Sequence, residues 1–493
     1  MGGVIARDPA AAAAADYDVI VIGGGVNGIA VAHRAMALGL RALLLEGDDF
    51  GGATSANSLR ILHGGIRSLQ SLDLRCFRDM CIAQSWFLRH FPEHIAPLQC
   101  LMPLYGRGLR RPAAFRAALT LDRLLRRTCG AGHGSGALPR GGVLDVDQTR
   151  HRFPLVPLTG LQGGGVWYDG VMLQPQRVLI DWLRWACAGG VTALNRVAAQ
   201  QLLIKQGRVA GVVAHDRLGD RTVLFSAPRV INCAGPWSQE LSRAFDAGTP
   251  ECFRPTLAFN LLLDRAPVAQ CALAVATPTG SRRTYFIVPW GNQTMVGTYH
   301  GPATALPQQP APSSEQIEQM LGELNTAVPG WDLGSDTVLR VYSGLLPGRS
   351  RPGAEELETE ATIHDHGRTG GPQGLLTVTG VKFTTAPVIA ARVLRAAGFR
   401  ARVSVSQVRR PVAREIPEAA SFLRALETRP GEATDWLRRF AAEESVLSAE
   451  DFLRRRTDWG LDPREEREIE RLITPLIPQA DAAPETFRQV RAG

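Results

Sequence analysis

The sequence predicts an α/β fold with a helical C-terminal part, and three stretches of the chain carry that prediction. Residues 17–46 contain a β-branched apolar run, a glycine-rich turn, an Ala-rich segment and a second apolar run. Residues 229–237 and 375–385 are further short apolar runs that lead into glycine and small residues. Short apolar runs bounded by turn residues are typical of strands that are buried on both faces of a parallel sheet.

The glycine turn at the end of the first run matches the pattern G-x-G-x-x-G. The first glycine permits a tight turn, the second lets a pyrophosphate approach the backbone, and the third lets helix and strand pack closely. The N-terminus of the following helix supplies unpaired N–H donors. An acidic residue 18 positions further on is placed to hold ribose hydroxyls and disfavours a 2′-phosphate, which argues against NADP. These features predict a Rossmann-like dinucleotide site formed by Gly23, Gly25, Asn27, Gly28 and Glu46.

Composition indicates a globular protein of two or three domains, with 493 residues and a formal net charge of +8. The basic residues are scattered and no nucleic-acid-reading motif occurs, so we expect no nucleic-acid partner. The apolar runs are too short for a membrane span. No C-x-x-C pair occurs, so we expect free thiols, no metal site and a cytoplasmic location. Among 55 basic residues only Lys205 and Lys382 are lysines, which draws attention to both.

Residues 50–69 form a second region of interest, because small and hydroxylated residues crowd its first half and His-Gly-Gly-x-Arg follows. Such a segment can approach a flat ligand closely and present hydroxyl donors to it.

The stretch ATSANSLRILHGGIRSL, together with the glycine turn, resembles the FAD-dependent glycerol-3-phosphate dehydrogenase family, within the wider D-amino-acid-oxidase-like flavoproteins. The likeness runs from about residue 17 to residue 475. It implies that the cofactor is FAD, that a segment beside the glycine turn wraps it, and that the arginine of HGG-x-R faces the substrate. The residues concerned are Thr54, Ser55 and Ser58 at FAD, His63, Gly64 and Gly65 beside the isoalloxazine, and Arg67 at the substrate.

The two later apolar runs resemble the strands with which this family closes its cofactor site. A second strand that returns to the nucleotide favours FAD over NAD. The resemblance places Ala234, Gly235, Gly380, Phe383 and Thr384 at the cofactor, and it places Lys382 against both cofactor and substrate.

We therefore predict an α/β (α+β) chain with a Rossmann-like FAD-binding domain, an inserted β-sheet substrate domain and a helical C-terminal domain. The FAD-binding domain is discontinuous, over residues 17–75, 143–238 and 336–400. The substrate or cap domain covers residues 76–142 and 239–335, and the helical domain covers residues 405–493. Residues 1–16, which are Ala-rich and of low complexity, are expected to be a disordered tail.

The substrate half departs from the family pattern. Leu346 stands where the family has the arginine of YSG-x-R-P, and Asn260 stands where it has a basic residue. Arg349 or Arg351 could compensate; otherwise the substrate is less anionic than glycerol 3-phosphate, because charge-assisted pairs hold phosphate most strongly.

The resemblance implies oxidation of a secondary alcohol of a polyol phosphate to a ketone, with hydride transfer to flavin N5 and electrons passed to a membrane quinone. Arg67 and Lys382 would bind the substrate, and His300, with His63 as the alternative, would take the hydroxyl proton. The basic surface would favour peripheral contact with the inner face of the membrane. Three alternatives stay open: an oxidase of an amino acid or amine, an enzyme for another polyol or sugar derivative, and a non-catalytic flavin-binding protein. The sequence leaves the oligomeric state open.

Overall fold

The computed structural model describes residues 3–70, 73–106, 110–129, 138–251, 253–277, 283–303, 310–351, 354–400 and 408–477. The strands of these ranges are β1 Val19–Ile22, β2 Ala42–Leu45, β3 Ile61–Leu62, β4 Ile95–Leu104, β5 Gly142–Leu144, β6 Gly163–Met172, β7 Thr192–Leu194, β8 Val197–Lys205, β9 Arg208–Asp216, β10 Arg221–Ser226, β11 Val230–Asn232, β12 Arg254–Leu263, β13 Ala272–Ala276, β14 Thr284–Trp290, β15 Gln293–Pro302, β16 Val338–Arg351, β17 Ala354–Leu357, β18 Thr362–Asp365 and β19 Leu375–Thr379. The α-helices are α1 Pro9–Ala13, α2 Val26–Ala37, α3 Ile66–Gln70, α4 Leu74–His90, α5 Pro112–Thr128, α6 Val146–Arg152, α7 Pro175–Ala188, α8 Ser238–Phe245, α9 Ser314–Ala327, α10 Ala386–Ala396, α11 Ala419–Thr428, α12 Pro430–Glu444 and α13 Pro463–Ile473.

The first sheet has six strands in the order β18-β19-β11-β1-β2-β7. Its strands are parallel apart from β18, which pairs antiparallel with β19. The strand residues of β1, β2, β11 and β19 are all buried, which explains why they read as continuous apolar runs. The predicted Rossmann-like arrangement is confirmed, and the three stretches that predicted it contribute four of the strands: β1, β2, β11 and β19.

A second sheet of ten strands forms the other large layer. Its order is β17-β16-β12-β15-β14-β13-β4-β6-β3, with β5 also paired to β6. Helix α9 covers one face through Met320, Leu321 and Leu324, and α5 covers the other through Phe115 and Leu119. Strands β8, β9 and β10 form a separate antiparallel sheet.

The structure assigns some segments differently from the predicted domain boundaries. Strands β3, β6 and β16 lie in the ten-stranded sheet, although the sequence interpretation gave their residues to the FAD-binding domain. Helix α4, which that interpretation gave to the cap, packs with α2 and α7 in the core of the first sheet through Phe87 and Leu88. The strands with which a segment pairs, and the core in which a helix packs, decide these assignments. The glycine-rich segment 163–172 has no periodic apolar pattern that would have predicted its sheet.

The prediction of a disordered N-terminal tail is wrong for residues 3–16. Ile5 is fully buried, and its N–H donates to Glu443 O at 2.8 Å. Arg7 forms an ion pair with Asp216. Helix α1 begins after Asp8, whose carboxylate accepts from the backbone N–H of Ala11 at 2.9 Å. An Ala-rich segment is a good helix former once a cap and a proline at its first turn are present, so low complexity did not mean disorder here.

The helical C-terminal part is confirmed over its described residues, 408–477. Helices α11, α12 and α13 share a core with a π-helical turn at Asp451–Arg456, centred on Phe440, Phe452 and Trp459. Among the described residues no helix is both long and apolar enough to cross a membrane.

Buried ion pairs join this helical part to the first sheet. Arg177 on α7 donates to Glu444 at 2.7 Å and to Asp181 at 2.7 Å, and Arg456 donates to Asp49 at 2.7 Å. Burial opposes the charge of Asp181, but Arg177, His94 and Arg184 outweigh burial and hold the pKa of Asp181 well below its usual range. Since each charge has a partner, the junction tolerates full burial.

We expect Glu444→Gln to lower the free energy of unfolding by about 3–5 kcal/mol, because the fully buried Arg177 would keep Asp181 as its one remaining carboxylate partner among the described residues. Glu443→Gln is the matched control: its side chain is 33% exposed and pairs with Arg414, so about 1 kcal/mol or less should be lost. Urea unfolding followed by tryptophan fluorescence measures both. An equal loss of unfolding free energy in the two variants would contradict the proposed contribution of the buried ion pair.

Candidate active site

The glycine turn is built by close backbone contact. Gly23 has a φ of +100°, and a Cβ added there would lie 2.5 Å from the carbonyl oxygen of Cys233. A Cβ added at Gly28 would lie 1.8 Å from the carbonyl oxygen of Gly23. Only residues without side chains allow this contact, which brings the ends of β1, α2 and β11 together.

Polar groups surround the turn. The backbone N–H of Gly24 donates to the Glu46 carboxylate at 2.6 Å, and the N–H of Val26, in the first turn of α2, donates to Ser55 Oγ at 3.0 Å. Burial raises the pKa of Glu46 to about 7, against the opposing effect of the Gly24 hydrogen bond. The acid and one hydroxyl predicted from the sequence therefore meet at the same turn.

The last strand of the first sheet reaches this turn through Gly380. A Cβ at Gly380 would lie 2.1 Å from Asn27 Nδ2, so the Asn27 amide packs directly on that glycine. Asn27 Oδ1 is buried and has no hydrogen-bond partner in the described part of the chain. On the neighbouring strand, Ala234 N–H donates to Asn232 Oδ1 at 3.1 Å, and Gly235 follows with a φ of +56°. A buried acceptor without a donor, at the point where strands converge on a helix N-terminus, fits a ligand that supplies the donor.

The 3₁₀ turn Thr54–Asn57 connects the two sheets. Thr54 Oγ1 donates to Leu345 O at 3.0 Å, and the carbonyl oxygen of Asn57 accepts from Asn260 Nδ2 at 2.9 Å. Asn260 Oδ1 in turn accepts from Thr298 Oγ1 at 2.8 Å. Asn260, which departs from the family pattern, therefore supports the wrapping segment. Ser58 Oγ accepts a local bond from the N–H of Arg60 at 3.3 Å.

One face of α4 carries residues spaced four apart, Cys76, Met80 and Gln84, that contact the HGG segment and the Lys382 turn. Lys382 Nζ lies 3.5 Å from Cys76 Sγ and 3.9 Å from Met80 Sδ. Gln84 Nε2 donates to Leu62 O at 2.7 Å, directly before His63. Residues four apart in a helix share a face, so α4 sets the spacing between the HGG turn and the Lys382 turn.

His63 is held by a buried carboxylate. Its Nδ1 lies 3.0 Å from Asp169 Oδ2, and its ring centroid lies 5.1 Å from that of Phe286. Asp169 also accepts from Gly64 N–H at 2.7 Å and from Trp167 Nε1 at 3.2 Å. Burial opposes the charge of Asp169, but these hydrogen bonds, that of His63 first, outweigh it and lower the pKa of Asp169. The His63 side chain itself is 38% exposed, so the ring remains accessible.

Gly64 and Gly65 have structural reasons to be glycines. A Cβ added at Gly64 would lie 2.2 Å from Arg126 Nη2. Gly65 has a φ of +90°, and a Cβ added there would lie 3.2 Å from Phe77 Cα. Phe383 packs on Phe87 of α4 at a centroid distance of 5.7 Å, and Thr384 is buried beside it.

The remaining predicted substrate residues lie at the edges of this region. Arg67 is on α3 with an exposed side chain. The next residue, Ser68, donates to Cys76 Sγ at 3.3 Å, the atom that Lys382 also contacts. His300 is on β15, two residues beyond Thr298, and its carbonyl oxygen accepts from Arg283 at 2.9 Å. Leu346 is half-buried on β16. The side chains of Arg349 and Arg351 fall outside the described residues, so the compensation suggested for them stays a prediction.

Sequence reasoning did not single out Asp169, Gln84 or the α4 face as functional. The segment GGGVWYDG offered one signal, an acid that follows an aromatic pair before a helix. Nothing in the chain pattern pairs that acid with His63, because they are 106 residues apart and meet only where β3 pairs with β6.

Comparison with known proteins places this geometry in a family. The family model for DAO, FAD dependent oxidoreductase, matches residues 18–396. The chain belongs to the FAD dependent oxidoreductase family. Within that family, the alpha-glycerophosphate oxidase of Streptococcus pyogenes serotype M1 is 31% identical over 337 residues, which cover 67% of this chain and 54% of that protein. The glycerol-3-phosphate dehydrogenase of Synechocystis is 28% identical over 381 residues, covering 75% of this chain and 68% of that protein.

The chain spans about half the length of the streptococcal relatives, 54% of the S. pyogenes protein. Among solved structures, the glycerol-3-phosphate dehydrogenase from Bacillus halodurans complexed with FAD has a TM-score of 0.66 at 20% identity and covers 94% of this chain and 95% of that one. A likeness at that identity shows the shared fold. The cofactor of the family is FAD, and the unpartnered Asn27 Oδ1, the Glu46 carboxylate and the Ser55 hydroxyl around the glycine turn fit it.

For Gly25→Val we expect folded protein without flavin colour. A Cβ at Gly25 meets only Ser55 Oγ, at 3.2 Å, so the fold should tolerate the change while the side chain fills space needed by a pyrophosphate. The matched control is Gly322→Val, since nothing lies within 4 Å of a Cβ there. Absorbance near 450 nm after purification measures the outcome, and a fully flavinated Gly25→Val protein would count against this assignment.

Proposed function

We propose that this chain is an FAD-dependent dehydrogenase that oxidises the secondary alcohol of a polyol phosphate, similar to glycerol 3-phosphate, to a ketone. The arrangement on α4 carries the proposal. It holds a histidine with its carboxylate, and a lysine that forms no ion pair in the described part of the chain, on one side of the glycine-turn site. The names of the relatives from Synechocystis and Streptococcus support the substrate class.

His63 is the proton acceptor in this proposal. Asp169 lies at Nδ1, which favours the tautomer with hydrogen on Nδ1 and leaves Nε2 free to accept a proton. The buried carboxylate then stabilises the ring when it becomes positively charged. Bound FAD supplies the acceptor for the hydride from the carbinol carbon. We prefer His63 to His300 as the base because the Asp169 carboxylate orients its ring.

Lys382 is the anion-binding group. In the described part of the chain its ammonium contacts two sulfur atoms and forms no ion pair. Sulfur accepts hydrogen bonds weakly, so the lysine retains most of its capacity for a phosphate oxygen. Arg67 would add a second cation from the exposed face of α3. Because Leu346 stands in place of an arginine, Lys382 and Arg67 would hold a phosphate monoester with fewer positive charges than in the family pattern.

The electron acceptor is proposed to be a membrane quinone. The formal net charge of +8 would favour contact between this protein and an anionic membrane surface, where quinones are found. The streptococcal relatives are named oxidases, so molecular oxygen is the second candidate acceptor.

An anaerobic reduction screen tests the function. Flavin-loaded protein is mixed without oxygen with glycerol 3-phosphate, other polyol phosphates, free polyols and amino acids, and bleaching near 450 nm is followed. We expect rapid bleaching by a polyol phosphate. Bleaching by amino acids alone would overturn the proposal, and so would bleaching by no compound in the panel. Reoxidation of the bleached protein by a soluble quinone or by oxygen then separates the two acceptors.

For Lys382→Ala we expect normal flavin content and a KM for the phosphate substrate raised about 10- to 100-fold, the effect of losing one charge-assisted hydrogen bond. Lys205→Ala is the matched control, because the chain's other lysine is exposed at the end of β8. Stopped-flow reduction gives both values. An unchanged KM in Lys382→Ala would remove this residue from the substrate site.

For His63→Gln we expect the limiting rate of reduction to fall by about 100-fold or more, as for loss of a general base. Asp169→Asn should give a smaller fall with little change in KM, because its amide no longer favours hydrogen on Nδ1. His300→Gln is the comparison and should reduce at close to the normal rate. A large loss in His300→Gln with normal reduction in His63→Gln would reverse the two roles.

A further inference from the structure

A cleft of about 340 Å³ lies where residues 52–60, strand β16 and residues 450–461 of the helical C-terminal part meet. We call it the arginine cleft, because Arg60, Arg340, Arg454 and Arg455 line it together with Trp237 and Asp458. His63, Asp169 and Lys382 do not line it. Thr54, which the resemblance places at FAD, does line it. The cleft therefore borders the predicted cofactor segment and is separate from the groups assigned to substrate oxidation.

Arg60 is the most deeply placed of these arginines. It is 5% exposed, and its guanidinium carbon lies 4.0 Å from the centroid of the Trp290 ring and 5.8 Å from that of Tyr342. Its Nη1 is buried and has no hydrogen-bond partner among the described residues. Stacking on Trp290 fixes the guanidinium but leaves the Nη1 donor without an acceptor in the described part of the chain.

Two further guanidinium nitrogens of the cleft are also buried and also lack an acceptor in the described part of the chain. Arg340 Nε and Arg455 Nε are buried without a hydrogen-bond partner in the described ranges. Across those ranges nine buried side-chain atoms lack a partner, and three of them belong to this one cleft. Arginine can only donate hydrogen bonds, so each of these three nitrogens requires an acceptor.

The charges around the cleft also favour an anion. Glu466 pairs with Arg340 and with Arg454, the latter at 2.6 Å. Glu450 pairs with Arg455 at 3.3 Å, which leaves Asp458 as the other carboxylate of the lining. Four guanidinium groups and two carboxylates, Glu450 and Asp458, line the cleft, so its lining side chains carry more positive than negative charge.

We propose that the arginine cleft binds the phosphate group of a small molecule, either a phosphate monoester or free phosphate, through the Arg60 Nη1, Arg340 Nε and Arg455 Nε donors. A phosphate offers several strong acceptor oxygens, and its hydrogen bonds to guanidinium groups are charge-assisted. The volume is at the lower end for ligand pockets, which suits a molecule of a few carbon atoms. This site goes beyond the proposed oxidation and does not depend on it.

Binding is measured by isothermal titration calorimetry on flavin-saturated protein, at constant ionic strength, so that the glycine turn is occupied by its own cofactor. The probes are inorganic phosphate, methyl phosphate, which has no alcohol to oxidise, and succinate as a dicarboxylate. We expect a phosphate-bearing probe to bind at a site that persists in Lys382→Ala, because Lys382 belongs to the proposed oxidation site and does not line the cleft. The tighter of the first two probes identifies the source of the phosphate group. Binding of succinate alone, or of no probe at 50 mM, would overturn the proposal.

Arg455→Gln and Arg60→Gln each remove a donor, and each should weaken binding about tenfold or more. Arg429→Gln is the matched control in the same helical part: its side chain is 65% exposed and pairs with Glu432. If Arg60→Gln does not fold, Arg455→Gln decides the matter, since that side chain is 16% exposed and near the rim. Equal affinity in Arg455→Gln, Arg429→Gln and the natural protein would show that the anion binds elsewhere.

Discussion

The site depends on a backbone contact that side chains would prevent. Gly28 on α2 lies so close to Gly23, and Gly23 so close to Cys233, that a single methyl group at either glycine would overlap a carbonyl oxygen. The contact fixes the start of α2 against the ends of β1 and β11. The polar groups that follow, Glu46 and Ser55, can then reach the same turn from different segments.

The proposed substrate side is organised by α4 rather than by the glycine turn. A single helical face contacts the HGG turn at one end and the Lys382 turn at the other, and it also supports the carboxylate of Asp169 through Gln84. A helix is stiff over this length, so the distance between the proposed base and the proposed anion-binding group is set by helix geometry. Helix α4 packs in the core of the first sheet, although in the sequence it lies between β3 and β4 of the second sheet.

The helical C-terminal part is fixed to the rest of the molecule by charge. Glu444 and Arg456 have no exposed side-chain area, and their partners Arg177 and Asp49 belong to the first sheet's layer. Breaking such pairs leaves a charge in a medium that solvates it poorly, so they favour one docked arrangement over others. The N-terminal residues add to the same junction through Ile5, whose N–H donates to Glu443 O, while Arg7 pairs with Asp216 on β9. The arginine cleft lies along the edge of this interface.

The sequence by itself determined the parallel sheet, the glycine turn with its acid, the strands that return to it, and the helical C-terminal part. Each of these leaves a local mark: an apolar run, a fixed spacing of glycines or a change of composition. It did not determine that residues 3–16 are ordered, since Ile5 and Arg7 are held by partners about 200 or more positions away. Nor did it pair His63 with Asp169, or show that Lys382 contacts α4. Those contacts join residues 106 and 306 positions apart. The pairing of β3 with β6 brings the first pair together, and the packing of the Lys382 turn against α4 brings the second.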